Sequence, residues 1–239
     1  MTLSHSPKQN RILGHLPQAD YARLLPALEL ISISIGEGIY SPHTPITHLY
    51  FPVDCIIARL YELESGTSVK TSVTGNEGMV GISYILGSEK ASARAVALSG
   101  GDAFRIKAPL LKKEFETAGD LQRLLLRFTQ ALIIQTEQIA IGNQHHKIEQ
   151  RLCHFLLMIL DRLPDNELHI THEQVSIFLG VRRESISLAA QKLETIGAIQ
   201  YRRGHLTVVN RRELEELAGE SYAIVSEEYE RLYEVFAPG

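Results

Sequence analysis

Cysteine is almost absent from this chain: Cys55 and Cys153 are alone among 239 residues, and they form no CxxC pair. That scarcity excludes a disulfide framework, a cysteine-ligated structural zinc site and a cysteine-ligated iron–sulfur cluster. Long apolar runs are missing too, and none approaches the ~20 residues that cross a bilayer. The opening residues MTLSHSPKQNR lack the apolar stretch of a secretory signal, so a cytoplasmic protein with no membrane partner is expected. Nor is there an excess of positive charge: 24 Lys and Arg face 28 Asp and Glu, for a formal net charge of −4. Such a balance gives no global attraction to nucleic acid, although an average conceals patches. The sequence also has no internal repeat and no low-complexity tract. Its hydrophobic content of 44% is enough to bury a sizeable core and to divide into two domains.

The texture changes along the chain. Asn10 to Leu30 has helical spacing with two prolines, which predicts short helices. From Ile31 to Lys107 the alternating segments ISISIG, HLYFPV, CIIARLYEL, TSVKTSV and ARAVAL are punctuated by Gly and Pro. Many short strands with Gly-rich turns predict an antiparallel β-roll or barrel. A short helix over Leu111 to Thr117 then leads into a long one from Asp120 to about Gln144. Within it Leu121, Leu125, Phe128, Leu132, Gln135 and Ile139 recur at spacings of four and three. That heptad seam predicts a coiled-coil homodimer; the alternative is one helix laid on its own β-domain. Gln135, with Thr136 beside it, would set register or face a ligand. Gly142 to His146 break the pattern and form the candidate hinge, before a helix from Ile148 to Leu163 that Pro164 and Asp165 end. The expected division is a β-roll domain over 1–119, a dimerisation helix and hinge over 120–146, and a C-terminal domain over 147–239.

Ile170 to Asn210 carries the densest pattern. Thr171 and Gln174 form a capping box, Gly180 permits a tight interhelical turn, and Ile186, Ala189, Ala190 and Leu193 give a second helix its inward face. Gly197 ends that helix, and Ala198–Tyr201 pairs with Leu206–Val209 across the turn Arg202-Arg203-Gly204-His205. The class is therefore α+β, with a C-terminal winged helix-turn-helix that presses one helix into the major groove of DNA. Between 182 and 212 the positive residues are Arg182, Arg183, Lys192, Arg202, Arg203, Arg211 and Arg212, opposed by Glu184 and Glu194. A guanidinium can bond guanine in a fork and a carboxylate can accept from cytosine, so Arg183 and Glu184 are the candidate base readers, with Ser187 beside them. Arg182, Arg202, Arg203 and Thr171 are the candidate phosphate contacts.

The β-roll, the long helix, the hinge and a winged helix carrying LGVRRESIS together resemble the Crp/Fnr superfamily of bacterial transcription regulators. The resemblance implies a cyclic-nucleotide-binding-like roll and an Arg-Glu reading pair, which falls on Arg183 and Glu184. The position after Ser187, commonly another base-reading Arg in that family, is Leu188. Cyclic-nucleotide-binding members carry a Gly-Glu for the ribose, then Arg-Ser or Arg-Thr for the cyclic phosphate. Here GNEGMVG makes Glu77 comparable to that acid, but EKASARAV places Ala91 before Ser92, with Arg94 three residues on. Losing that cation removes a charge-assisted contact of about 1.5–3 kcal/mol, so cyclic AMP is not the expected effector. The candidate effector pocket is Glu77, Ser92, Arg94, Gln135 and Thr136. No cofactor is assigned: the N-terminal cysteine cluster of iron–sulfur members is missing, and His43, His48, His145 and His146 make no clear haem ligand set. No metal site is expected. The partners implied are an operator duplex, a second copy of the chain, RNA polymerase and an unidentified small-molecule effector. The alternative is a ligand-binding or cupin-like β-roll whose C-terminal domain mediates protein contacts. A cupin enzyme needs closely spaced strand histidines with a carboxylate, whereas His43 and His48 sit in a Pro-rich turn region, so no enzyme is expected.

Overall fold

The computed structural model describes residues 5–62, 68–163, 167–202 and 204–234. The helix expected to run to Leu163 ends at Leu160; Pro164 and Asp165, and the contact assigned to Arg203, lie outside the described residues. Two short helices, α1 (Arg11–Gly14) and α2 (Gln18–Leu24), precede β1 (Glu29–Ile33), β2 (Gly38–Tyr40), β3 (His48–Pro52), β4 (Ile56–Glu62) and β5 (Ser68–Thr74). Then come α3 (Ile82–Ile85), β6 (Arg94–Ser99), β7 (Gly101–Lys107), α4 (Ala108–Phe115) and the long α5 (Asp120–His145). The remainder is α6 (Ile148–Leu160), β8 (Glu167–His169), α7 (His172–Leu179), α8 (Arg183–Thr195), β9 (Ile199–Arg202), β10 (His205–Val208), α9 (Arg211–Ala218) and α10 (Glu220–Glu234).

The first seven strands form the expected roll from two sheets, ordered β1-β7-β3 and β2-β6-β4-β5. In the first sheet β7 is central and antiparallel to both neighbours, Phe104 standing opposite Leu30 on one side and Phe51 on the other. Alternation in the sequence does not announce β7, because its opening Gly-Asp is turn chemistry. It does not announce β2 either, which at three residues is too short for a period-two signal. Ile33, Cys55, Ile57, Ala95, Ala97 and Ala103 form a buried cluster, with Tyr40, Tyr50 and Val80 packed against it. Both cysteines are free and buried, and burial pushes each thiol up to about 12, leaving them inert.

The described residues fall into two compact units, one drawn from 1–59, 74–133 and 228–239, the other from 60–73 and 134–227. These units cut across the expected boundaries at 119 and 146. In the first unit Asn10 is fully buried and fully used: its Nδ2 donates to the carbonyls of Pro52 and Gly78, and its Oδ1 accepts from Ile12 N and Leu13 N. Gly78 faces the ring of Phe128, and a Cβ there would lie 2.3 Å from Phe128 Cε2. The end of α10 is packed. Leu232 and Tyr233 are buried, Tyr233 Oη donates to the Glu77 carbonyl, and Arg11 lies over the Tyr233 ring at 4.3 Å.

Helix α5 departs from expectation twice. Of the expected dimer seam, Leu121, Leu125, Phe128 and Gln135 are buried within the chain itself, and Leu132 and Ile139 are partly buried. A side chain already covered by its own chain has no face to offer a second copy, so at Leu121, Leu125, Phe128 and Gln135 the seam is corrected to an internal packing stripe. A separate side of α5 exposes Leu126 (48%), Ile133 (47%) and Ala140, which recur every seven residues. The hinge also shifts. Gly142, Asn143, Gln144 and His145 stay helical, since one glycine costs a helix only about 1 kcal/mol, and the break falls at His146 and Lys147.

Candidate nucleic-acid interface

The second unit builds its surface from short elements held at their ends. Thr171 Oγ1 accepts from Gln174 N at 3.2 Å, and Gln174 Oε1 accepts from Thr171 N at 2.8 Å, closing the capping box of α7. Gly180 then takes φ +63°, a left-handed position that a Cβ would strain, and turns the chain toward α8. Helix α8 buries Ile186, Ala189, Ala190 and Leu193, which directs Arg183, Glu184 and Leu188 to solvent. Strands β9 and β10 pair with Arg202 opposite His205 and Leu206 opposite Tyr201, one residue beyond the expected strand bounds. A third strand, β8, joins β10 with His169 opposite His205. Like β2, it is too short to show a period in the sequence.

The positive residues of this surface divide by partner. Lys192 is ion-paired with Glu149, Arg211 with Asp161 and Glu215, and Arg212 with Glu216. Glu194 is occupied as well, accepting from Tyr201 N at 2.9 Å. Arg182, Arg183 and Arg202 are exposed and have no ion pair among the described residues. Exposed pairs add little to stability, but they take three cations out of the set available to an external anion. What remains lies around the first turn of α8 and on the adjoining wing strand.

Beside Arg183 is a hollow of about 390 Å³ lined by Thr171, His172, Glu173, Tyr201 and Gly204. The rings of His172 and Tyr201 lie 4.3 Å apart, and Tyr201 Oη donates to the Ile170 carbonyl. Burial, then the nearby Arg183 charge, push His172 below its ordinary value. Ser187 Oγ donates to the Arg183 carbonyl at 3.2 Å and lies 2.9 Å from His172 Nδ1. The reading role expected of Ser187 therefore gives way to an internal one, while Leu188 projects with 61% of its surface exposed. His172 and Tyr201 escape sequence reasoning because a lone ring on a helix or strand is usually core.

Residues 150–217 match the family model for the Crp-like helix-turn-helix domain. Among solved structures, FixK2 from Bradyrhizobium japonicum is similar with a TM-score of 0.69 at 19% identity, over 80% of this chain and 96% of that one. A Crp/Fnr-family transcriptional regulator from Thermus thermophilus aligns with a TM-score of 0.63 at 18% identity, over 81% of this chain and all of its own, 100%. The c-di-GMP responsive global regulator CLP of Xanthomonas campestris gives 0.62 at 15% identity, over 80% and 99%. The chain shares the fold of these Crp/Fnr-family structures, and its residues 150–217 are similar to the Crp-like helix-turn-helix domain. No curated protein sequence matches the chain.

Within this Crp/Fnr fold the expected effector residues are engaged with the chain itself. Glu77 is buried, and its Oε2 accepts from Gly75 N at 3.0 Å. Ala91 is buried with its N–H donating to the Thr44 carbonyl, while Arg94 is exposed on β6. A cation does reach Ser92, but from β4: Arg59 Nη2 donates to Ser92 Oγ at 2.8 Å. In the second unit Gln135 Oε1 accepts from Val73 N at 2.8 Å and its Nε2 donates to Val73 O at 3.2 Å. Thr136 Oγ1 donates to the Thr71 carbonyl at 3.2 Å. Gln135 thus completes the backbone pairing of β5, a duty that neither of its two expected roles included.

Proposed function

We propose that this chain is a homodimeric, sequence-specific DNA-binding transcription regulator of the cytoplasm, without enzymatic activity. The observation that carries this reading is the sorting of charge: Arg182 and Arg183 at the start of α8 and Arg202 on the wing strand are exposed and without an ion pair, while the other described Lys and Arg residues of the segment are ion-paired. Arg183 and Glu184 read base edges in the major groove, and Leu188 contacts a thymine methyl where a donor would otherwise stand. Arg182, Arg202 and Thr171 hold phosphates and set the docking register.

A single recognition helix spans only a half-site, so two copies are needed, one helical turn of DNA apart. The face for pairing is the exposed stripe of Leu126, Ile133 and Ala140 on α5, whose seven-residue spacing suits a coiled coil. Effector control and contact with RNA polymerase belong to the same reading as extensions of it. Against the cupin-like alternative, His43 is an exposed turn residue at φ +65° and His48 opens β3 beside Thr47, so the two do not share a strand face. The test is selection of bound duplexes from a random pool by the purified protein. A recovered inverted repeat with half-sites about 10 base pairs apart supports the reading, and recovery of no common sequence contradicts it.

A further inference from the structure

In the second unit, β5, the last turn of α5, α6 and the end of α7 line a half-open hollow with about 20 Å³ of water-accessible space, room for one water-sized group. Its lining includes Lys70, Asn143, Arg151, His154, Phe155 and Leu179. Lys70 is buried, with its ammonium 4.5 Å from the centre of the Phe155 ring. His154 is only 6% exposed and its Nε2 has no hydrogen-bond partner; Arg151 Nε is buried and unpartnered as well. Arg151 also donates to the Leu179 carbonyl, and Arg162 to that of Met158. His146, in the break after α5, has another buried ring nitrogen without a partner. No carboxylate lines the hollow among the described residues.

Gathering cations in a low-dielectric interior disfavours their charged forms, and here both effects are visible. Burial, then Arg151 and Arg162, push Lys70 down to about 7. Burial, then Lys70, His146 and Arg162, push His154 down to about 3. Orphaned donors around a cavity call for a ligand that accepts from all of them. We propose that this hollow binds one small, weakly hydrated monovalent anion, a halide, held by Lys70 Nζ, Arg151 Nε and the Nε2–H of His154. Its water-accessible space of about 20 Å³ suits a single atom-sized group. The apolar walls from Phe155 and Leu179 suit an ion that sheds water readily. Through Arg151 the ion also bears on the last carbonyl of α7, just before the Gly180 turn.

The experiment is thermal unfolding of the full chain at pH 6 in sodium chloride, bromide or gluconate at matched ionic strength. The expected result is a saturable rise in Tm with both halides over gluconate, about 3–6 °C at ten times the dissociation constant. A bromide anomalous peak in the hollow of a crystal would locate the ion. Lys70→Met and His154→Leu should each abolish the saturable rise, whereas Arg202→Ala should keep it. The rise should also shrink between pH 6 and pH 9 as Lys70 loses its proton, the facing groups Arg151 and Arg162 staying charged. Equal melting in halide and gluconate, or an undiminished halide rise in both variants, overturns the proposal. Because neither readout involves DNA, failure here leaves the regulator reading untouched.

Discussion

Helices α5 and α8 both carry apolar residues at helical spacing, yet the spacing meant different things in each. In α8 the buried set Ile186, Ala189, Ala190 and Leu193 fits the inward face read from sequence, because capping, the Gly180 turn and the wing all fix which side is inside. In α5 no such local signal exists. Two heptad stripes coexist there, one through Leu121, Leu125 and Phe128 and one through Leu126, Ile133 and Ala140, and the chain covers the first with its own residues. A 3.5-residue period announces that a helix face will be covered, but not by what.

The sharpest way to break this comparison is to substitute both stripes of α5. Leu125→Ala should destabilise the protein by about 2–5 kcal/mol in urea unfolding while leaving the assembly state of the folded fraction unchanged. Ile133→Glu should do the reverse, yielding folded monomers by sedimentation with little loss of stability. A surviving dimer in Ile133→Glu would return the seam to the other face.

The buried lysine gives a pH prediction of the next size. Lys70 titrates near 7 in the folded chain, against an ordinary value of 10.5. As pH falls from 10.5 towards 7 the unfolded chain takes up this proton and the folded chain does not, so stability declines across that window. Lys70→Met should flatten that slope in chloride-free buffer, as read by urea unfolding at pH values of about 7, 8.5 and 10. An unchanged slope would mean that Lys70 is not buried as described.

Smaller effects sharpen the α8 side. Arg202→Ala should weaken binding to all duplexes alike and reduce the magnitude of the logarithmic salt slope by about 1. Thr171→Ala should cost about 1 kcal/mol of stability through the lost α7 cap, measurable by thermal melting, and any phosphate contact it makes would appear as a further loss in binding only.

Much of the fold was legible because its signals are local. Segments HLYFPV and CIIARLYEL contain β3 and β4, ISISIG overlaps the end of β1, and the capping box and Gly180 mark α7 where they should. What was not legible depends on partners distant in sequence. Gln135 is hydrogen-bonded to a strand 62 residues earlier, and no local pattern distinguishes that from a polar break in a coiled coil. Tyr233 reaches Glu77 across 156 residues, so the end of an acidic helix reads as solvated until it is seen packed. Ser187 is polar on a recognition helix, and only the position of His172 reveals that its hydroxyl is already engaged. The basic cluster around Lys70 is scattered over β5, α5 and α6, and each member alone looks like a surface residue.

The central claim is that the exposed first turn of α8 reads base identity. The direct measurement is competition binding of wild type and Arg183→Ala to a selected operator and to duplexes substituted at each base pair of the half-site. The account predicts a loss of about 1–3 kcal/mol for Arg183→Ala on the operator, with discrimination erased at one base pair and retained elsewhere. A uniform loss across all duplexes, matching that of Arg202→Ala, would contradict it.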